Sequence, residues 1–185
     1  IPAKAQKTFE LFDAEFALPT DFLGSARVQS TGGTPLAVAA VTHWGGVSGA
    51  YGTFAYNCQP AADAATTLYA PKVQRRIFGT NWFDSSGVIV VNTEGTEATA
   101  RVEFYERDGT FGGVFTDTVP AFSARGYNTR YVGNADATVI ESLIGSGTTA
   151  EPNWQGSVVV KSVGGEKLAG VVKQGYDTNG WAGGY

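Results

Sequence analysis

The sequence contains few of the residues from which catalytic and metal sites are built. Its 185 residues include one cysteine, one histidine and no methionine. Cys58 therefore has no partner for a disulfide within the chain, and one Cys with one His is too few for a zinc site. We expect Cys58 to be a small buried residue, with an interchain disulfide as the alternative.

Positive charge is also scarce. The 13 Lys and Arg are outnumbered by 17 Asp and Glu, which gives a net charge of -4. The one basic cluster is Lys72 to Arg76, so the attraction that drives proteins onto nucleic acid is missing. No apolar run reaches the roughly 18 residues of a membrane helix. Neither a nucleic-acid partner nor a membrane span is expected.

Glycine is abundant, with 25 residues, and the pattern of the remainder predicts strands. From residue 98 onward Ala100, Val102 and Phe104 share one predicted face, while polar residues occupy the other. Residues 79–175 predict about six or seven short strands at the spacing of a β-sandwich. Turns are predicted at Arg107–Gly109 and at Gly164-Gly165, where the absence of a Cβ suits the left-handed angles of a tight turn. One or two helical turns are predicted only within Asn134–Gly147. The composition, low in helix formers, is typical of extracellular or cell-surface β-proteins.

The sequence repeats itself. Phe22–Val41, here called copy one, aligns without a gap on Trp154–Lys173, here called copy two, so that each position in copy one lies 132 residues before its counterpart. The similarity continues upstream, where Ile1-Pro2-Ala3 matches Val119-Pro120-Ala121. Self-similarity at a long fixed distance indicates a repeated structural unit.

The position of the repeat predicts an uneven domain organisation. Residues 1–56 correspond to the back half of a β-sandwich unit, 57–78 to a linker, and 79–185 to a complete unit with a Gly/aromatic tail. A half sandwich leaves its apolar face and its strand edges uncovered. We expect either a longer tandem array or neighbouring copies that complete it by strand addition, in a head-to-tail contact of the kind that builds fibres.

Motifs that resemble active sites have simpler explanations here. Gly145–Ala150 matches a dinucleotide fingerprint, but Pro152 stands where its helix would continue. Ser48 lies in a segment similar to a nucleophile elbow. A catalytic serine needs a histidine from a separate loop, however, and the only histidine, His43, is close to Ser48 in sequence. Asp177–Tyr185 begins like a calcium loop and lacks the late Glu. We predict no cofactor, metal or catalytic residues, and no enzymatic activity.

Two groups of carboxylates could in principle form a glycosidase pair. They alternate with apolar residues, and we therefore expect solvated strand faces and turns. The groups are Glu10, Asp13 and Glu15 in the first case, and Glu103, Glu106 and Asp108 in the second.

Aromatic residues recur after both copies and have two interpretations. They could anchor an interface between consecutive units, or they could form a platform on which sugars stack. Recurrence at the same place in both units favours the interface. The predicted subunit-interface residues are Phe9, Leu11, Phe22, Trp44, Tyr51, Phe54, Tyr56, Tyr176, Trp181 and Tyr185.

The strings SSGVIVVN, ATARVEFYERDG, VPA, WQGSVVVKS and LAGVV make residues 79–175 similar to the immunoglobulin-like or fibronectin-III-like β-sandwich repeats of bacterial secreted surface and filament proteins. The resemblance implies a structural or assembly role without catalysis. The sequence therefore predicts an all-β protein of tandem antiparallel β-sandwich units, the N-terminal one incomplete, that assembles with copies of itself into an extracellular filament, stalk or surface layer. The alternative is a surface adhesin or carbohydrate-binding array whose partners are glycans.

Overall fold

The computed structural model describes residues 1, 5–10, 16–18, 25–45, 51–78, 81–129, 153–176 and 181–184. Within these ranges the chain is nearly all β, with a short 3-10 helix at Ala61–Asp63, which confirms the predicted all-β class. The strands, numbered in chain order, are β1 Ala39–Gly45, β2 Tyr51–Asn57, β3 Thr67–Phe78, β4 Asn81–Asn92, β5 Ala98–Glu106, β6 Phe111–Val119, β7 Ala124–Asn128, β8 Asn153–Ser162, β9 Leu168–Tyr176 and β10 Trp181–Gly184.

Eight strands form one antiparallel sheet that folds over on itself. The order is β10-β9-β4-β3-β8-β5-β6, and β7 also pairs with β4. Most of β3 pairs with β8, and the end of β3 pairs with the start of β4. Beyond that start, β4 pairs with β7 along the same edge. The other edge of β4 pairs with β9. The result is a sandwich of two layers, β6-β5-β8-β3 and β7-β4-β9-β10, with its corner at strands that pass between layers.

Buried polar groups stabilise the corner where β4 changes partner. The backbone amide of Gln74 donates to Ser86 Oγ at 3.0 Å, and the backbone amide of Ser86 donates to Thr129 Oγ1 at 3.0 Å. Thr129 Oγ1 donates in turn to the Gln74 carbonyl oxygen at 2.9 Å. All three residues are buried. Since a buried backbone group without a partner costs about 1–3 kcal/mol, these bonds allow the ladder to change partners inside the protein.

The two layers enclose one apolar core. Val102, Val158 and Val160 of the first layer and Val90 and Leu168 of the second are each no more than 1% exposed. Aromatic rings fill one end of the core, where Phe104 contacts both Phe115 and Trp154 at centroid distances of 6.1 and 6.0 Å. The predicted inward face of β5 is confirmed, because Ala100, Val102 and Phe104 are all buried.

Glycine forms the hairpin turns at the predicted places. Gly109 has a φ of 89° in the β5–β6 turn, and Gly165 has a φ of 93° in the β8–β9 turn. Both values lie in the left-handed region that residues with a Cβ rarely adopt. In the second turn the Gly165 amide donates to Ser162 Oγ at 3.0 Å, and that hydroxyl donates to Glu166 Oε2 at 2.6 Å.

Two sequence expectations differ from the structure. The predicted linker, residues 57–78, contains β3, in which Val73, Gln74 and Arg75 are buried. Polar residues buried at the corner hid this strand from a search for apolar alternation. Cys58 is exposed rather than buried, because it follows the end of β2 instead of lying inside the sandwich. The predicted helical turns of Asn134–Gly147 lie outside the described residues.

Candidate functional site

The most unusual surface is copy one itself, because its apolar residues are exposed where those of copy two are buried. Val28 is 48% exposed, and its counterpart Val160 is 1% exposed. Leu36 is 45% exposed, whereas Leu168 is fully buried. Similar sequences therefore occupy opposite environments within one chain.

Neighbouring strands account for this difference. In copy two, β8 lies between β3 and β5, and β9 lies between β4 and β10. In copy one, residues 25–38 form no strand, and β1 pairs only with β2 in the part of the chain that the structure describes. Without flanking strands, the apolar side chains of copy one have no layer against which to pack.

Copy one nevertheless shares its turn with copy two and touches the sandwich. Gly33 has a φ of 71°, close to that of its counterpart Gly165. Ser25 Oγ donates to the carbonyl oxygen of Phe122 at 3.0 Å, beside the connection between β6 and β7. At the other end, the Cys58 amide donates to the carbonyl oxygen of Val38 at 2.9 Å. The segment thus contacts the sandwich at Ser25 and the end of β2 at Val38, and its turn has a positive-φ glycine like that of the β8–β9 turn.

The Gly/aromatic segments that follow each copy form matching hairpins. Residues 39–45 and 51–57 form the β1–β2 pair, in which Trp44 lies opposite Gly52. Residues 168–176 and 181–184 form the β9–β10 pair, in which Trp181 lies opposite Tyr176. Strand β2 lies beside β10, so the fold brings the two hairpins together within one chain.

The predicted interface residues are placed as follows. Phe9 is 45% exposed, with its ring edge-on to Phe16 at 6.4 Å and the Lys7 ammonium 4.9 Å from its centroid. Tyr56 is half-buried, and burial together with the nearby Cys58 raises its pKa. Trp44, Tyr51 and Phe54 lie on the first hairpin, Tyr176 and Trp181 lie on the second, and Leu11, Phe22 and Tyr185 lie outside the described residues.

A second notable surface is the outer face of the first layer, where a charged cluster surrounds Glu103. Its carboxylate accepts hydrogen bonds from Lys161 Nζ at 2.8 Å, Arg101 Nε at 2.8 Å and the Tyr105 hydroxyl at 2.9 Å. Glu103 is only 4% exposed, so the expectation of a solvated carboxylate is wrong here. Its partners cover it, and the contribution of Lys161 becomes visible only once β5 and β8 are paired.

The cluster has a defined charge state at neutral pH. Hydrogen bonds, the one from Lys161 first, lower the pKa of Glu103 to about 2. The same carboxylate raises the pKa of Lys161 and that of the Tyr105 hydroxyl. At neutral pH the cluster thus holds one carboxylate, two cations and a protonated phenol.

The other carboxylates predicted beside Glu103 have structural partners. Glu106 Oε1 accepts from Trp154 Nε1 at 3.1 Å, and Asp108 Oδ1 accepts from the Thr110 amide at 2.9 Å, which lowers the pKa of Asp108. Within the described residues no group of three or more His, Cys, Asp or Glu is placed to hold a metal ion. In the same residues no helix is long and apolar enough to cross a membrane.

Comparison with known proteins identifies no family for this chain. No family model matches the chain, and no curated protein matches it. Among solved structures the chain is similar to the Anabaena sensory rhodopsin transducer, with 13% identity and a TM-score of 0.41 over 58% of this chain and 84% of that chain. So weak a similarity assigns neither family nor function. The all-β antiparallel architecture is confirmed, while the resemblance to immunoglobulin-like or fibronectin-III-like repeats stays a prediction.

Proposed function

We propose that this protein is a structural subunit of an extracellular filament, stalk or surface layer, in which copy one of each subunit adds to a strand edge of the next. The observation that carries the proposal is the exposure of Val28 and Leu36 at positions equivalent to the buried Val160 and Leu168. A neighbouring copy of the chain would supply the flanking strands that copy one lacks.

The energetics favour association. Complete burial of a Val or Leu side chain is worth about 1.5–3 kcal/mol, and copy one presents both types together. Backbone N–H and C=O groups of residues 25–38, which form no strand here, would gain ladder hydrogen bonds at the same time. Main-chain pairing of this kind gives affinity, while side-chain pockets give register and specificity.

The receiving edge in this proposal is β6. It pairs with β5 on one side, and no described strand pairs with its other side. Phe111–Val119 contains no Lys, Arg or Pro, the residues that usually protect an edge against pairing. Its one charge, Asp117, accepts a hydrogen bond from Tyr127 at 3.2 Å and lies 3.5 Å from Arg125 Nε. The edge is longer than those of the five-residue β7 and the four-residue β10.

Head-to-tail geometry makes such an assembly extendable. The donating segment and the receiving edge are different surfaces, so a contact between them need not close and can repeat along a fibre. The adjacent hairpins β1–β2 and β9–β10 carry Trp44 and Trp181 and would form part of the joint between subunits. Tandem sandwich units would then act as mechanical spacers, without catalysis.

Electron microscopy of the purified 185-residue chain tests the proposal. The wild-type chain is expected to form ordered filaments at micromolar concentration. Leu36→Asp and Val28→Asp are expected to remain dispersed, because each places a charge in the segment that must become buried. Both residues are exposed in the single chain, so the far-ultraviolet circular dichroism of either variant should equal that of the wild type.

A matched control separates this effect from a general effect of added charge. Val163 is 63% exposed and lies in the turn of copy two, outside the proposed joint. Val163→Asp should assemble like the wild type. The proposal is contradicted if the wild-type chain stays monomeric up to millimolar concentration, or if the copy-one variants and Val163→Asp assemble equally well.

A further inference from the structure

The outer face of the first layer forms a shallow depression beside the Glu103 cluster. Its volume is about 380 Å³, and it is lined by Tyr69, Tyr105, Gly109, Ser157, Val159 and Lys161. The strand register explains the arrangement, since Val159 lies between Tyr69 of β3 and Glu103 of β5, and Ser157 lies beside Tyr105. The size is at the lower end of the roughly 300–1,000 Å³ typical of small-molecule sites.

Two aromatic rings lie on this face with different degrees of freedom. Tyr69 is 75% exposed, so one side of its ring is open to a flat apolar partner. Tyr105 is half-buried and held in place, because its hydroxyl donates to Glu103 and its ring meets Phe111 edge-on at 5.7 Å. An exposed ring beside a fixed one suits a ligand that is itself a ring with a weakly polar face.

The charges on this face leave one positive charge in excess. Arg101 and Lys161 supply two, and Glu103 neutralises one of them. Arg107 and Asp108 in the nearby turn carry opposite charges. Glu106 is a further carboxylate, but it is bonded to the indole of the core residue Trp154, so the excess of one positive charge is that of the outer face alone. Lys161 is 44% exposed and uses one of its three ammonium donors on Glu103, so it can also donate to a ligand anion.

We infer that this face binds a carboxylated sugar, with a pyranose ring against Tyr69 and its carboxylate at Lys161. A uronic acid has one negative charge per ring, which matches the single excess positive charge. A polyphosphate has no ring to lie against Tyr69 and would use only the charge at Lys161. The site is separate from copy one and meets β6 only where Phe111 contacts Tyr105, so the inference does not rest on the proposed assembly.

Calorimetric titration with a galacturonic acid trimer tests the inference, with its methyl ester as the uncharged comparison. The protein should be the 185-residue Leu36→Asp chain, so that assembly does not contribute heat. We expect the acid to bind at least tenfold more tightly than the ester, and its affinity to fall as salt is added. Tyr69→Ala should weaken binding at least tenfold, and Tyr69→Phe should retain it.

Changes at Lys161 test the charge separately. Lys161→Gln should weaken binding of the acid at least tenfold without altering binding of the ester, and Lys161→Arg should restore part of the loss. Because Lys161→Gln also removes a partner of Glu103, circular dichroism must first show that the variant is folded; Tyr69→Ala keeps the test decisive if it is not. Phe122→Ala removes an aromatic residue that is 54% exposed elsewhere and should change nothing.

The inference is overturned if the trimer does not bind at millimolar concentration, or if Tyr69→Ala binds it normally. Equal binding of the ester would remove the role of charge. Equal binding of adenosine monophosphate would show a general anion site instead of a sugar site. A chain that binds the trimer but never forms filaments would support this inference while contradicting the proposed function.

Discussion

Copy one and copy two have similar sequences but differ in how deeply their apolar side chains are buried. In copy two, flanking strands bury Val160 and Leu168, whereas the equivalent Val28 and Leu36 of copy one are about half exposed. In each copy the turn between the valine and the leucine contains a glycine with positive φ, which is Gly33 in copy one and Gly165 in copy two. The glycine turn is thus encoded within the copy, while strand formation and burial depend on strands supplied from outside it.

The largest expected difference between the copies comes from one leucine in each. Leu168→Ala should lower the free energy of unfolding by about 2–5 kcal/mol, because it opens a cavity in a packed core. Leu36→Ala should change the same quantity by less than about 0.5 kcal/mol in the dispersed chain, because the side chain is exposed. Urea denaturation followed by tryptophan fluorescence measures both values.

For filament formation we expect the opposite order, with Leu36→Ala having the larger effect. Leu36→Ala should raise the protein concentration needed for filaments, because the leucine would be buried only in the joint. The comparison between copies fails if Leu36→Ala unfolds as easily as Leu168→Ala under dilute conditions.

Acid should lower the stability of the sandwich by protonating Glu103, which binds Lys161 of copy two. The folded pKa of about 2 lies below the ordinary value of 4.5 for this carboxyl, so the ionised form stabilises the fold above pH 4.5, and this stabilisation is lost as the pH falls toward 2. Because Arg101 and Lys161 are each 44% exposed and partly screened by water, we expect a loss of about 1–3 kcal/mol.

Glu103→Gln isolates this effect. The variant should be less stable than the wild type at pH 7, and the difference should shrink between pH 4.5 and pH 2. Copy one has Gln29 where copy two has Lys161, so it has no equivalent ion pair. A constant difference between variant and wild type across this range would mean that Glu103 does not carry the acid sensitivity.

The turn glycines give the smallest and most closely matched comparison. Gly165→Ala should cost about 1 kcal/mol in the dispersed chain, since a Cβ is strained at its positive φ. Gly33→Ala should leave the unfolding transition of the sandwich unchanged and weaken assembly alone. Thermal melts of the two variants measure the first effect, and light scattering measures the second. Equal losses of thermal stability would indicate that copy one already belongs to the folded unit.

Sequence patterns could predict the strands that follow simple rules. Alternation identified the buried face of β5 at Val102 and Phe104, and glycine marked the turns at Gly109 and Gly165. Strand β3 was missed because the polar residues Gln74 and Arg75 are buried at a corner, so the strand does not show apolar alternation.

The charged cluster could not be predicted for a related reason. Glu103 and Lys161 are 58 residues apart in the chain, and their contact depends on the register between β5 and β8. The depression beside Tyr69 adds a third strand to the same requirement. The repeat was visible from sequence, but the opposite burial of its two copies follows from which strands pair with each.

Hydrogen–deuterium exchange, measured by mass spectrometry on dilute and on assembled protein, tests the central claim most directly. Amides of residues 157–170 should be protected in both states, since they belong to β8, β9 and the turn between them. Amides of residues 25–38 should exchange rapidly in dilute chain and slow by roughly 100-fold or more after assembly. Rapid exchange of residues 25–38 in both states would contradict the claim that copy one joins the subunits.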